Sequence, residues 1–245
     1  MGERTNISWT DATWNIAYGC TKVDEDCRFC YMYRDSGTKY NPFQVTRTKK
    51  AFNLPLRLKE PHKIFTSSLT DVYHPDCDSF RNDMWDIIRK CPQHTFQILT
   101  KRPERISDNT PVDILNMENV WFGTSVGSEK GKVRIFHLLK VDCKTRFISF
   151  EPLYEKVDMN LDIADLMKIH WVIIGGESGN ESGKYRYRPC EVEWVEDIIK
   201  CVKDTSAIFV KQMGTHLSKK LGMSDKHGGI IDEFPESLRI REFPN

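Results

Sequence analysis

The stretch "HWVIIGGES", residues 170–178, sets a short apolar run, Trp171 to Ile174, directly before Gly175, Gly176, Glu177 and Ser178. A run this short and this continuous in hydrophobicity fits a strand buried on both faces, as in a parallel sheet. Reading outward, the same pattern recurs in "HKIFTSS" (62–68), "HTFQILT" (94–100), "NVWFGTSV" (119–126), "TRFISFE" (145–151) and "AIFVKQ" (207–212). Helical spacing fills several of the intervals. Phe80, Met84, Ile87, Ile88 and Cys91 share one helix face, and Val195, Ile198, Ile199 and Val202 share another, with Pro189 placed to begin the second helix. Strand then helix, repeated about six times, predicts an α/β protein: a right-handed β/α barrel or an open doubly wound sheet.

Polar residues gather where the runs end: Ser67, Ser68 and Asp71; Lys101 and Arg102; Thr124 and Ser125; Ser149 and Glu151; Glu177 and Ser178; Lys211 and Gln212. Each taken singly is an ordinary helix cap. Their repetition at the C-terminal edge, where parallel β/α folds carry ligands, predicts a common pocket.

The remaining sequence frames this core. Residues 1–61 hold a first strand and a cysteine-rich loop, 62–212 the repeats, and 213–245 a C-terminal extension packed across the barrel or its mouth. No linker divides the chain, so a single domain is expected. Lys and Arg number 36 against 35 Asp and Glu, which excludes a strong overall field and leaves any anionic partner to local patches. No apolar run approaches the roughly 18 residues of a membrane span, and the N-terminus has no signal-peptide pattern. A soluble, cytoplasmic protein with no membrane partner is the expectation.

Three of the eight cysteines, Cys20, Cys27 and Cys30, fall within "NIAYGCTKVDEDCRFCYMY" (15–33). In a reducing compartment such clustering points to metal or reactivity rather than a disulfide. Spacing alone leaves an iron–sulfur cluster, a zinc site and unrelated surface cysteines open. Structural zinc takes four ligands, and no fourth Cys or His lies close by. A cubane on three cysteines keeps one iron free. Cys91 and Cys201 read as core residues of apolar helix faces, while Cys77, Cys143 and Cys190 suggest no role.

This segment resembles the cluster loop of the radical S-adenosylmethionine (SAM) superfamily, in which three cysteines follow the first barrel strand. The usual spacing there is three residues and then two; here the first gap is six. Phe29, just before the last cysteine, matches the aromatic that lies near the adenine of SAM, and Tyr31 is compatible with it. Over almost its full length the chain is similar to radical-SAM-like proteins first catalogued from bacteriophage genomes. That likeness is carried by "SWTDATWNIAYGCT", "TSSLTD", "ILTKRPER", "WFGTSV", "FISFEPL", "WVIIGGESG" with a following "RP", and "FVKQMG". A more distant similarity is to spore photoproduct lyase.

The resemblance implies a partial or near-complete parallel (β/α) barrel of about six to seven strands, with a 4Fe–4S cluster on Cys20, Cys27 and Cys30 and SAM on its open iron. Phe29, Tyr31, Ser67, Ser68, Asp71, Ser125, Glu151 and Glu177 are then the candidate SAM contacts. Lys101 and Arg102 are candidate substrate contacts, set against ion pairs with Glu104 or Glu151; Arg105 is expected to face solvent. An external electron donor, flavodoxin- or ferredoxin-like, is implied, and a nucleotide or nucleic acid is the leading substrate. Lys130, Lys132 and Arg134, and Lys184, Arg186 and Arg188 in "KYRYRP", could neutralise phosphates while tyrosines stack on bases. The competing reading is a non-catalytic iron–sulfur or zinc-bearing module that binds nucleic acid. His170, alone before a strand, reads as structural.

Overall fold

In the computed structural model of the protein, residues 5–37 and 39–244 are described. The strands are β1 (Ala12–Trp14), β2 (Ala17–Tyr18), β3 (Thr46–Arg47), β4 (Lys63–Thr66), β5 (Thr95–Thr100), β6 (Val120–Ser125), β7 (Thr145–Leu153), β8 (Trp171–Gly176) and β9 (Ala207–Gln212). The helices are α1 (Tyr31–Arg34), α2 (Asp78–Lys90), α3 (Ile106–Asn109), α4 (Val112–Leu115), α5 (Val133–Leu139), α6 (Ile163–Leu166), α7 (Val192–Val202) and α8 (Gly214–Lys220). All six strands expected from the apolar runs form, each within a residue or two of its run. The protein is thus a mixed α/β fold in which every described strand pairing is parallel except the short β2–β3 ladder.

The chain gathers into two compact units, one of Met1–Thr124 with Lys140–Thr145 and the other of Ser125–Leu139 with Arg146–Asn245. In the first, β1, β4, β5 and β6 lie side by side in that order, with Ala12, Ile64 and Phe96 in register across β1, β4 and β5. Ile64, Phe96, Ile98 and Phe122 are fully buried, and α2 offers them Met84, Trp85 and Ile88 while Asp83, Asp86 and Arg89 stay outside. Trp14 joins this core, its ring centroid 5.7 Å from that of Phe96 and its indole N–H donated to the Phe52 carbonyl at 2.8 Å. The described residues between 32 and 61, which lack a strand-like pattern, include α1, β3 and short 3-10 turns.

In the second unit β7, β8 and β9 are parallel neighbours, and Val195, Ile198 and Val202 of α7 supply its buried helix face. The helix begins at Val192 with Glu191 as its cap residue, so Pro189 lies before it rather than at its first turn. The C-terminal segment runs antiparallel along β9: Val210 donates its N–H to the Ile240 carbonyl at 2.9 Å, and Glu242 donates to Ile208 at 2.7 Å. A strand edge that would otherwise expose its amides is covered in this way. Cys201 is exposed, in contrast to the core position expected for it, whereas Cys77, Cys91, Cys143 and Cys190 are buried. No helix is long and apolar enough to cross a membrane among the described residues.

Phe96 fills a buried site between Trp14 and His94 that a small side chain would leave empty. Phe96→Ala is expected to lower unfolding stability by about 3–5 kcal/mol, measured by urea denaturation.

Candidate functional site

The first unit brings the cysteine loop to the strand ends through backbone and side-chain bonds. Asn15, just past β1, accepts the Leu69 N–H at 2.7 Å and donates to the Ser68 hydroxyl at 3.0 Å. Ser67 donates to the Trp14 carbonyl at 2.9 Å and accepts from the Ile16 N–H at 3.2 Å. Thr70 donates to the Gly19 carbonyl at 2.7 Å. Ser67 and Ser68, expected as SAM contacts, therefore lace the loop after β1 to the loop after β4. Tyr31, at the start of α1, donates its hydroxyl to the Ser68 carbonyl at 2.5 Å.

The cysteines follow. Cys20 leaves the β2 end, Cys27 closes the 3-10 turn Glu25–Cys27, and Cys30 is the residue before α1. Asp24 caps that turn by accepting the Asp26 N–H at 2.9 Å. All three are free thiols with part of their surface open. Burial is the main reason that the Cys20 thiol is pushed up to about 11, with Asp71 adding to the effect and Arg102 opposing it. Burial also raises Cys30, with Lys101 acting against it. Burial raises Tyr33, and Cys20, Cys30 and Cys27 add to the effect. Its hydroxyl donates to the Cys20 carbonyl at 2.6 Å. Among the described residues no three Cys, His, Asp or Glu side chains converge as the ligands of a single metal ion would.

Arg102 is the centre of this site. Its Nη1 donates to Asp71 Oδ2 at 2.9 Å and lies 3.9 Å from Cys20 Sγ, while Nη2 donates to both the carbonyl and the hydroxyl of Thr21 at 3.0 Å. Asp71 also accepts from the Thr100 hydroxyl at 2.7 Å, the Tyr73 N–H at 3.0 Å and the Lys101 N–H at 3.1 Å. The ion-pair partner of Arg102 is thus Asp71, not Glu104 or Glu151, and the Asp71 carboxylate is engaged within the chain. Arg105 does not simply face solvent; it pairs with Asp78 at 2.9 Å.

The second unit holds its own polar group. Glu151 pairs with Lys211, and Ser125 donates its hydroxyl to the Glu151 carbonyl at 2.9 Å. Glu177 is buried and receives Arg188 through Nε at 2.8 Å, Nη2 at 2.6 Å and the main-chain N–H at 2.8 Å. The Arg188 guanidinium stacks 3.4 Å from the Tyr154 ring centroid. Gln212 donates to the Ser178 hydroxyl at 2.8 Å. A Cβ on Gly176 would sit 2.2 Å from the Met213 carbonyl oxygen, so glycine there permits close approach of β8 to the chain after β9.

The proposed basic surfaces shrink accordingly. Arg134 is buried and donates to the Ser125 carbonyl at 2.7 Å, Lys132 pairs with Glu129, and Arg188 is taken by Glu177. Lys130, Lys184 and Arg186 remain exposed. The sequence reading missed Thr21, His74, Tyr33 and Tyr154, whose roles arise only from contacts distant in the chain.

His74 shows how the first site is built. Its Nδ1 accepts the Asp76 N–H at 3.1 Å, so the ring proton lies on Nε2, which donates to the Thr21 hydroxyl at 2.9 Å. His94 and His170 likewise use Nδ1 as an acceptor, for the main-chain N–H of His62 and Arg146. Burial holds all three below the usual histidine range. The unfolded chain, with histidines near about 6.5, binds more protons below that pH than the folded one. Stability conferred by the neutral rings is therefore complete above about pH 7 and declines as pH falls through and below the usual histidine range. Urea midpoints measured across this window should fall with acidification; a flat profile would exclude the neutral-ring assignment.

The family model described as "Protein of unknown function (DUF5131)" matches residues 4–235, and the chain belongs to that family. No curated protein and no solved structure matches it.

Proposed function

We propose that this member of the DUF5131 family is a radical SAM enzyme built on a partial parallel (β/α) barrel, with Cys20, Cys27 and Cys30 as ligands of a 4Fe–4S cluster. The observation that carries the reading is the tie between the three free cysteines: Cys30 donates its N–H to the Cys27 carbonyl at 3.3 Å, Tyr33 donates its N–H to the Cys30 carbonyl at 3.1 Å and its hydroxyl to the Cys20 carbonyl at 2.6 Å, and Arg102 Nη1 lies 3.9 Å from Cys20 Sγ. Soft thiolates are the ligands that iron–sulfur clusters take. Ligands of a cubane each bind a different iron, so they need not converge on one point as zinc ligands do. When bound, such a cluster supplies an electron for reductive cleavage of SAM, and the resulting radical takes a hydrogen atom from the substrate.

The chain's own residues have distinct tasks in this proposal. Phe29 and Tyr31 border the cysteine loop and offer aromatic surface to an adenine. Ser67, Ser68 and Asp71 support the site by joining its loops. Ser125, Glu151 and Glu177 lie in the second unit, where Lys211 pairs with Glu151 and Arg188 with Glu177. Cationic groups beside the thiols favour their ionised, metal-binding form against the cost of burial. A nucleotide or nucleic acid is the proposed substrate, and a flavodoxin- or ferredoxin-like protein the proposed electron donor.

Anaerobic reconstitution with iron and sulfide tests the reading directly. A broad visible absorption band that bleaches with dithionite, together with 5′-deoxyadenosine released from SAM, is expected. Cys27→Ala should abolish both. Uptake of one zinc equivalent without SAM cleavage would overturn the proposal in favour of a metal-bearing binding module.

A further inference from the structure

Three neighbouring strands, β1, β4 and β5, send their following loops to one guanidinium. Cys20 and Thr21 come after β1, Asp71 after β4, and Arg102 directly after β5. The guanidinium is itself held in place. The Arg102 N–H donates to the Thr100 hydroxyl at 2.9 Å, and that hydroxyl donates to Asp71 Oδ1. On the opposite side the Thr21 hydroxyl is fixed by His74. Both Arg102 and its acid are nearly out of solvent, with side-chain exposures of 11% and 9%. A simple charge partner for Asp71 would need only Nη1. Here Nη2 is spent on the carbonyl and hydroxyl of the residue next to Cys20, and Nη1 is shared with the Cys20 sulfur.

We infer that Arg102 is a positioning residue for the cysteine loop: it fixes Cys20 against the strand ends and, by directing an N–H and a positive charge at the sulfur, raises the reduction potential of a cluster bound there. The second half rests on the cluster reading given above. Hydrogen bonds to cluster sulfurs stabilise the more electron-rich reduced state, and outer partners of ligating residues govern both metal retention and potential. Lysine keeps the charge but cannot span Asp71, Thr21 and Cys20 at once, because it lacks the planar fork.

The test compares wild type with Arg102→Lys and Arg102→Gln in the full chain. In metal-free protein, amide hydrogen exchange over residues 20–27 should be about tenfold faster in both variants, since charged hydrogen bonds to the loop are lost. After anaerobic reconstitution, both should hold iron about 10–100-fold more weakly. The midpoint potential should shift negative in Arg102→Gln and less so in Arg102→Lys, a readout that a purely structural role would leave in place. Unchanged exchange in both variants overturns the positioning role. A wild-type potential in either variant overturns the tuning role, and Arg102→Lys, which retains the charge, carries both measurements if Arg102→Gln does not fold. If the wild type takes up no cluster, the cluster reading fails and the exchange measurement alone decides the positioning role.

Discussion

A buried guanidinium must be neutralised and its donors satisfied, and this requirement at Arg102 organises the first unit. Leaving one partner of such a pair alone costs several kcal/mol, so the fold cannot place Arg102 without also placing Asp71. Asp71 in turn collects the hydroxyl of Thr100 and the amides of Tyr73 and Lys101. Once these bonds are made, the ends of β4 and β5 have a fixed relation, and the loop after β1 is drawn to them by Thr21. The cysteine loop is thus ordered by electrostatics at its root rather than by apolar packing along its length, where Val23, Lys22 and Glu25 remain exposed.

The second unit meets the same requirement with different chemistry. Glu177 is as buried as Asp71, and it too receives an arginine, through two side-chain donors and a main-chain N–H. The apolar face of that guanidinium is covered by Tyr154 rather than by a further acceptor. Glu151 of β7 and Lys211 of β9 form a more open pair across the intervening strand β8. Charged residues at the C-terminal edge of a parallel sheet therefore serve two ends at once: they end strands whose buried side chains are mainly apolar, and they hold one another in defined geometry.

What the sequence made legible follows from where the determining forces act. The strands were readable because burial on both faces forces a local, uninterrupted apolar run, as in Trp171 to Ile174, and six such runs became six strands. The cysteine cluster was readable because its members are close in the chain. Ion-pair partners were not: Arg102 was matched to Glu104 or Glu151, whereas its acid lies 31 positions back, brought near by the parallel register of β4 and β5. The basic loops misled for a related reason, since Arg134 and Arg188 carry the same local signature as surface arginines while being claimed by partners in the fold. Cys201 lies one position off the buried stripe of Val195, Ile198 and Val202, a stripe that the periodicity of α7 itself defines.

The six-residue gap between Cys20 and Cys27 was the departure from the three-residue spacing of the family that this loop resembles, and its structure accounts for it. Asp24 accepts the Asp26 N–H, and the Cys27 and Arg28 amides donate back to the carbonyls of Asp24 and Glu25, so the extra length is consumed in a capped 3-10 turn. Lys22 closes the loop from the other side by donating to the Arg28 carbonyl at 2.9 Å. Cys27 then emerges from a rigid turn and Cys30 from the base of α1, while Cys20 is held independently by the Arg102 network. A short gap could fix its first two cysteines by local backbone geometry alone; a longer one needs an anchor at each end. The acidic and threonine residues of "TKVDED" are those anchors, with Thr21 turned to Arg102 and Asp24 to its own turn, and this explains why a loop of such polar composition can hold its thiols in place.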